Sequence, residues 1–327
     1  MWLVTGATGH IGNVLVRKLL ERGEKVRALI PHGESREPLK GLDVEAVEGD
    51  VLNLDSIFEA LRGIRGIFHL AGIISIMPGP NPFVRRVNVD GTKNILDAAL
   101  ETGVEKVVYT SSIHAIQRVD ETAGVIDETV PYDMDNPYGA YDRSKAEATL
   151  EVLKSTRAGL DAVVACPTGV IGPHDYRGSM MGAVIHDAAA AKPSLYVDGA
   201  YDFVDVRDVA DGLIAAAEKG KSGESYILSG NKISVRYLLE TVREITGRGF
   251  FQLRIPFDLA KFVALFTPMY YQLAHATPRF TPYSLEVLRS NSNISHAKAT
   301  RELGYRPRSI YESISDTVKW FLEKKNS

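Results

Sequence analysis

Thr5-Gly6-Ala7-Thr8-Gly9-His10-Ile11-Gly12 is the stretch on which the reading of this chain turns. It follows an apolar run at 2–5 and opens a segment in which Ile11, Val14, Leu15 and Leu19 recur at helical spacing, so it reads as strand, glycine turn and helix. Each glycine has a physical reason. Gly6 permits the tight turn, Gly9 lets a pyrophosphate approach the backbone, and Gly12 lets helix and strand pack closely, while the helix start offers unpaired N–H groups to an anion. Dinucleotide binding is the expectation, against a merely structural turn, with Thr8, His10 and Ile11 as further contacts in the same turn.

Outward from the turn, β-branched runs at 2–5, 25–30, 44–48, 66–70, 106–111 and 161–166 alternate with amphipathic segments. Strands apolar on both faces, alternating with helices, predict a parallel, doubly wound α/β sheet of the Rossmann type. After Pro167 the rhythm loosens into strand-like pieces at 201–206 and 225–228 and helices at 235–246, 258–273, 282–290, 295–303 and 310–325. This reads as a smaller C-terminal α/β lobe. The expected division is a dinucleotide-binding domain at 1–167, rejoined by 201–229, and a substrate-binding lobe at 168–200 and 230–327.

The 327 residues are 45% hydrophobic and 24% charged, enough for a sizeable core, and no Gly/Ser- or Pro-rich tract separates flexible halves. A net charge of −3 with mixed signs gives no footprint for nucleic acid or an anionic membrane, so a small-molecule partner is expected. The single cysteine, Cys166, fits a reducing cytoplasm. The glycine turn follows so closely on Met1 that a secretion signal does not fit before it. The most apolar later window, 255–273, contains Asp258, Lys261 and Pro268 and fails the test for a membrane span. No His/Cys/Asp/Glu cluster has metal-ligand spacing, so no metal is expected.

Enzymes that prefer NAD usually place an acidic residue at the end of the second strand. Here Ala28-Leu29-Ile30-Pro31-His32-Gly33 carries no carboxylate, and Arg36 or Lys40 could attract a 2′-phosphate. With His32 and Arg36 as cofactor contacts, the balance leans towards NADP over NAD. Glu48-Gly49-Asp50 follows the third strand; Asp50 either bonds adenine or caps the helix at 54–61, a task Asn53 or Asp55 could also perform.

At the end of the fifth strand stands Tyr109-Thr110-Ser111-Ser112, and some thirty residues later Tyr141-Asp142-Arg143-Ser144-Lys145 heads a helix. Tyr141 and Lys145, four apart, share one helical face. Hydride transfer at a carbinol carbon needs a proton moved at its oxygen, which a partly ionised tyrosine can do. Lowering a phenol by ~3 units needs ~4 kcal/mol of phenolate stabilisation, for which Lys145 and an oxidised nicotinamide are suitable sources. Ser112 would hold the substrate oxygen. Asn88, in Val87-Asn88-Val89-Asp90-Gly91-Thr92, either orients Lys145 through water or satisfies helix backbone nearby. His69 reads as a satisfied core residue, and His114 as a cleft or packing residue.

These stretches resemble the extended short-chain dehydrogenase/reductases of the epimerase/dehydratase family over nearly the whole chain. Within them, Phe68-His69-Leu70-Ala71-Gly72, Pro167-Thr168-Gly169-Val170-Ile171-Gly172-Pro173 and Phe203-Val204-Asp205-Val206-Arg207-Asp208-Val209-Ala210 are similar to the dihydroflavonol reductase and 3β-hydroxysteroid dehydrogenase branch. The resemblance implies that Gly6, Gly9 and Gly12 hold the pyrophosphate and that Asp50 and Val51 face adenine. It places Leu70, Ala71 and Gly72 along the cofactor with Thr110 and Ser111, and brings Pro167, Thr168 and Val170 to the nicotinamide. Ser112, Tyr141 and Lys145 would form the catalytic triad, with Asn88 beside it. Pro31 departs from the branch, many members of which carry a phosphate-binding Arg there.

The implied activity is an NAD(P)-dependent oxidoreductase acting on a carbonyl or secondary alcohol. One alternative is a sugar-nucleotide epimerase using the same triad, although Ala165-Cys166-Pro167-Thr168 stands where epimerases commonly show Arg-x-x-Asn. Another is a cofactor-sensing protein without catalysis. Phe251, Phe257, Phe262, Phe266, Tyr270 and Tyr271 are expected near the cleft and favour an apolar substrate, against the reading that they are core. Relatives pair the helices around 82–102 and 141–158 across a two-fold axis, so a homodimer is implied.

Overall fold

The computed structural model describes residues 1–119, 124–274 and 280–326. Its strands are β1 (Trp2–Thr5), β2 (Val26–Ile30), β3 (Glu45–Glu48), β4 (Gly66–His69), β5 (Lys106–Thr110), β6 (Ala162–Pro167), β7 (Gly169–Ile171), β8 (Ser194–Tyr196), β9 (Ala200–Asp205), β10 (Ser225–Leu228), β11 (Asn231–Ser234) and β12 (Gln252–Arg254). Its α-helices are α1 (His10–Glu21), α2 (Leu54–Leu61), α3 (Pro82–Arg85), α4 (Gly91–Thr102), α5 (Ala140–Arg157), α6 (Met180–Ala189), α7 (Val206–Lys219), α8 (Val235–Thr246), α9 (Phe257–Ala264), α10 (Thr267–Ala274), α11 (Pro282–Arg289), α12 (Ala297–Leu303) and α13 (Ile310–Asn326).

Among the described residues, seven strands pair in parallel in the order β10-β6-β5-β4-β1-β2-β3. Successive residues of one strand join opposite hydrophobic clusters, Leu3 one and Val4 the other, Val107 and Tyr109 one and Val108 the other. This period of two, apolar on both sides, is why helices must cover both faces. β3 sits at the edge, where Glu45 and Glu48 are exposed and blunt further pairing. Cys166, in β6, is fully buried, and burial pushes its thiol up to about 11.

The strand order reverses around β1, with β2 on one side and β4 on the other. That switch point opens a crevice at the carboxyl ends of the strands, where ligands of doubly wound sheets bind. Both the glycine turn after β1 and the Leu70-Ala71-Gly72 segment after β4 end there.

Beyond the sheet, β11-β9-β7 form a three-stranded sheet and β12-β8 a pair. Of the two later strand-like pieces, 225–228 joins the large sheet as β10, whereas the 201–206 run becomes β9 of the small one. β7, β8, β11 and β12 are three or four residues long, too short for their periodicity to register. The single helix expected at 258–273 is two: Leu265 and Phe266 donate to Phe262 O and Val263 O, an i−3 tightening that ends α9. Pro268, without an N–H, is accommodated in the first turn of α10. No helix among the described residues is long and apolar enough to cross a membrane.

Candidate active site

The glycine turn fits a dinucleotide. Gly6 has φ +69°, and a Cβ there would meet Ala71 N and Leu70 C at 2.8 Å, so the β1 and β4 loops touch backbone to backbone. At Gly12 a Cβ would lie 2.1 Å from Gly6 O, whereas at Gly9 it would have Gly6 O at 3.2 Å within reach and otherwise open space. Gly9 caps α1 with no side-chain bond, leaving the first helical N–H groups free to receive a phosphate. Thr110 Oγ1 and Asn13 Oδ1 are buried beside the crevice without a partner among the described residues, as polar atoms awaiting a ligand would be.

The loop at 172–178 crosses the start of α1. His10 Nε2 lies 3.0 Å from Pro173 O, and Asn13 Nδ2 donates to Gly9 O at 2.8 Å and His174 O at 3.1 Å. Burial lowers the pKa of His10. The Thr8 hydroxyl donates to the Glu34 carboxylate, and Arg177 Nη2 reaches both.

Beside the ends of β2 and β3, where the adenosine is expected, His32 Nδ1 lies 2.6 Å from Glu48 Oε1 and Arg36 Nη2 4.0 Å from Glu48 Oε2, so both expected phosphate contacts face a carboxylate. Asp50 is not the helix cap: its Oδ1 accepts from Leu52 N at 2.9 Å, while Asn53 Oδ1 accepts from Ser56 N. Val51 is buried against Gly91. Leu70 N and Ala71 N donate to Thr5 Oγ1 at 3.2 and 3.1 Å.

At the other end of the crevice, Tyr141 lies buried in the first turn of α5, with the Ser112 hydroxyl near enough to act on its phenol. Burial pushes Tyr141 up to about 12, and the Ser112 bond pulls the other way. Lys145 is buried one turn on; its Nζ donates to Thr110 O at 2.7 Å and to the Tyr109 hydroxyl at 3.4 Å. Burial lowers Lys145 to about 8, which makes its ammonium a labile charge at this site. Ser111 turns away from Tyr141 to Thr149 Oγ1, 2.6 Å distant.

Asn88 lies in a π-helical turn, Arg86–Asp90, between α3 and α4. Its Oδ1 accepts from Ile73 N at 2.7 Å, and its Nδ2 donates to Ile73 O at 3.0 Å and Ser144 Oγ at 2.9 Å. A Cβ on Gly72 would lie 3.2 Å from Asn88 Oδ1 and 3.6 Å from Lys145 Nζ, so Asn88 and Lys145 converge on Gly72 without bonding each other in the contacts described. Pro167 ends β6, Thr168 Oγ1 donates to Asp202 Oδ1 at 2.6 Å, and Val170 pairs with Val204.

A polar and aromatic cluster that the sequence did not reveal backs Tyr141. Asp142 is fully buried; it pairs with Arg118 Nη2 at 2.9 Å and accepts from the Tyr283 hydroxyl at 2.6 Å. His114 lies edge-on to Tyr141, with its ring nitrogens 3.1 Å from the Tyr201 hydroxyl and 3.3 Å from that of Tyr283. Burial depresses its pKa. A cavity of about 20 Å³ beside His114, Arg118, Tyr201 and Asn291 has room for a water rather than a substrate. Of the aromatics expected near the cleft, Phe251, Phe262, Phe266 and Tyr270 are exposed, Phe257 stacks under Arg289, and Tyr271 Oη accepts from Phe280 N. Short alanines, Ala260 and Ala264, face inward instead. Residues 120–123 and 275–279, within the segments 113–137 and 250–280 from which the sequence leads one to expect substrate contacts, lie outside the described residues. Among the described residues no group of three or more His, Cys, Asp or Glu could hold a metal ion.

The family model of the NAD dependent epimerase/dehydratase family matches residues 2–229. The chain is 37% identical over 325 residues to sterol demethylase protein B of Methylococcus capsulatus, covering 98% of each chain. It is 33% identical to a putative dihydroflavonol 4-reductase of Synechocystis, covering 98% of this chain and 94% of the relative. The crystal structure of gox2253 superposes with a TM-score of 0.85 at 34% identity, covering 99% and 98% of the two chains.

Proposed function

The chain belongs to the NAD-dependent epimerase/dehydratase family of the extended short-chain dehydrogenase/reductases and is an oxidoreductase; on that premise we propose that it moves a hydride between NAD and the carbonyl or secondary alcohol of an apolar, alicyclic or aromatic substrate. The observation that carries this reading is Tyr141, buried beside Ser112 at the end of the central strands, with the Lys145 ammonium one helical turn away.

The nicotinamide cofactor supplies or accepts the hydride when bound. Gly6, Gly9, Gly12 and the start of α1 would hold its phosphates, Leu70 to Gly72 would run beside it, and Thr110 would meet it with its unpartnered hydroxyl. Tyr141 donates a proton to the substrate oxygen in reduction and takes it back in oxidation. Ser112 shares that oxygen and stabilises the phenolate form of Tyr141. Lys145, fixed by Thr110 O and Tyr109, keeps positive charge near the phenol, and Asn88 holds the backbone at Ile73 so that Gly72 stays clear of Lys145. The rings of His114, Tyr201 and Tyr283 pack together behind the tyrosine and keep its far side buried.

The apolar substrate class is supported by relatives named for a sterol and a flavonoid substrate. NAD is proposed rather than the NADP favoured by sequence alone, because His32 and Arg36 are engaged by Glu48. A cytoplasmic homodimer, paired through the helices at 82–102 and 141–158, completes the proposal. The test is consumption of NADH with a panel of steroid, aryl and aliphatic ketones, and of UDP-sugars for comparison. Turnover of a cyclic ketone that falls by about 10²–10⁴ in Tyr141→Phe is the expected result. Interconversion of a UDP-sugar without net NADH consumption would make the chain an epimerase and refute the proposal.

A further inference from the structure

The helices α9 and α10 are built inside out. In α9 the buried residues are Ala260 and Ala264, while Leu259, Phe262, Val263 and, just past its end, Phe266 recur at i, i+3, i+4 and i+7 and stand exposed. α10 buries no residue, and its Met269, Tyr270 and Leu273 are 60% exposed or more. The β8-β12 ribbon, which runs into α9, sets the exposed Leu195 opposite the exposed Leu253. Scattered apolar residues on a surface need no explanation, but a contiguous face of them marks a place that meets another apolar phase.

The chemistry of this face suits lipid better than protein. A protein interface carries about one directional hydrogen bond per 100–200 Å². Within 257–274 the exposed polar side chains are only Asp258, Lys261, Tyr270 and Gln272, and Asp258 lies in the first turn of α9, where it complements the positive end of the helix. Lys261 stands beside Phe262, so its stem can lie along acyl chains while the ammonium reaches a headgroup phosphate. Tyr270 has the same apolar body and polar tip. The chain as a whole carries −3, but residues 247–274 set Arg248, Arg254 and Lys261 against Asp258. Arg254 pairs with Asp198, and neither Arg248 nor Lys261 has an ion-pair partner among the described residues. The overall charge that spoke against an anionic membrane therefore averages away a local excess of the opposite sign.

α9 and α10 have eight residues each and neither can cross a bilayer, which leaves the headgroup boundary as the place for their apolar face. Ala260 and Ala264 pack with Leu285 of α11, the helix whose Tyr283 joins the cluster behind Tyr141. The face thus lies on the lobe expected to bind substrate. We propose that the exposed face of α9 and α10 docks the protein peripherally onto an anionic phospholipid bilayer. An apolar substrate would then reach that lobe from the lipid in which it dissolves, a consequence that, unlike the docking itself, rests on the proposed substrate class.

The experiment is sedimentation of the full-length protein with sucrose-loaded vesicles, of phosphatidylcholine alone and of phosphatidylcholine with phosphatidylglycerol at about 7:3. Thermal melts check that each variant is folded. Wild type is expected to pellet with the mixed vesicles and to partition about tenfold less onto phosphatidylcholine alone. The double variant Phe262→Ser with Phe266→Ser should lose about a hundredfold in partitioning onto the mixed vesicles, and Lys261→Glu about tenfold. Tyr311→Ser, which removes an exposed ring from α13, should bind as wild type does. Wild type that pellets with neither vesicle overturns the proposal, as does a folded double variant with unchanged binding. Self-association in sedimentation velocity that the double variant abolishes, without vesicle binding, would assign the face to a second copy of the chain and overturn it equally. Docking on lipid by a protein that reduces no ketone would uphold the proposal and remove the proposed reaction instead.

Discussion

Removing the Ser112 hydroxyl tests whether the triad works as its geometry implies. Tyr141 stands at about 12 because burial disfavours its phenolate, and the Ser112 hydrogen bond opposes that rise. A hydrogen bond to an ionised partner contributes about 1.5–3 kcal/mol. At about 1.36 kcal/mol per unit, its loss in Ser112→Ala should raise the tyrosine by about 1–2 units. The sign follows: alcohol oxidation needs the phenolate, so its rate climbs with pH up to the tyrosine's apparent pKa and then levels off. In Ser112→Ala that climb should move about 1–2 units to higher pH, and at a pH below it the rate should fall about 10–100-fold through lost phenolate alone. The assay is kcat/KM for the alcohol against pH with saturating NAD, with Ser112→Thr as the variant that keeps a hydroxyl. A lowered plateau with no displacement of the climb would mean that Ser112 touches the substrate but not the phenol, and the reasoning would be wrong.

Gly9→Ala, whose methyl group has only Gly6 O in range, at 3.2 Å, should keep the wild-type urea midpoint while losing about tenfold or more in NADH affinity. Gly12→Ala forces a methyl to 2.1 Å from Gly6 O and should instead destabilise the fold by about 1–3 kcal/mol or more, visible in urea unfolding. Arg118→Ala strands the fully buried Asp142 and should lower unfolding stability by about 3–5 kcal/mol, and a loss below 1 kcal/mol would argue that the carboxylate finds another partner. His69, between Thr5 and Thr92, is held by burial to about 3. The unfolded chain binds a proton there below ~6.5 and the folded chain does not, so stability should fall by up to ~1.4 kcal/mol per pH unit from ~6.5 downward. His69→Gln should flatten that slope in urea titrations at pH 7, 6 and 5.

The central sheet was legible because its signals are local. Runs of β-branched residues form β1 to β6 at nearly the expected boundaries, and the turn at Gly6 can follow β1 only if a strand precedes and a helix succeeds it. Tyr141 and Lys145 were legible for the same reason, since one helical turn fixes their relation. The contacts of Glu34 were not, because it lies four residues beyond the strand end and its partners, Thr8 and Arg177, stand 26 and 143 positions away. The cluster of Arg118, Asp142, Tyr283 and His114 joins segments up to 169 residues apart, and no spacing in one of them announces the others. For the aromatics of α9 and α10, period alone says which residues share a face, not which way that face turns.

Cys166 adds a practical property to this fold. It is the one thiol of the chain, it sits in β6 with β5 and β10 on either side, and its elevated pKa leaves it almost wholly protonated at neutral pH. An alkylating reagent therefore finds no nucleophile until the middle of the sheet parts. Its uptake would count those openings one molecule at a time, so the protein carries its own clock for global unfolding, and the slowing of that clock by a bound cofactor would read out affinity without any label or turnover.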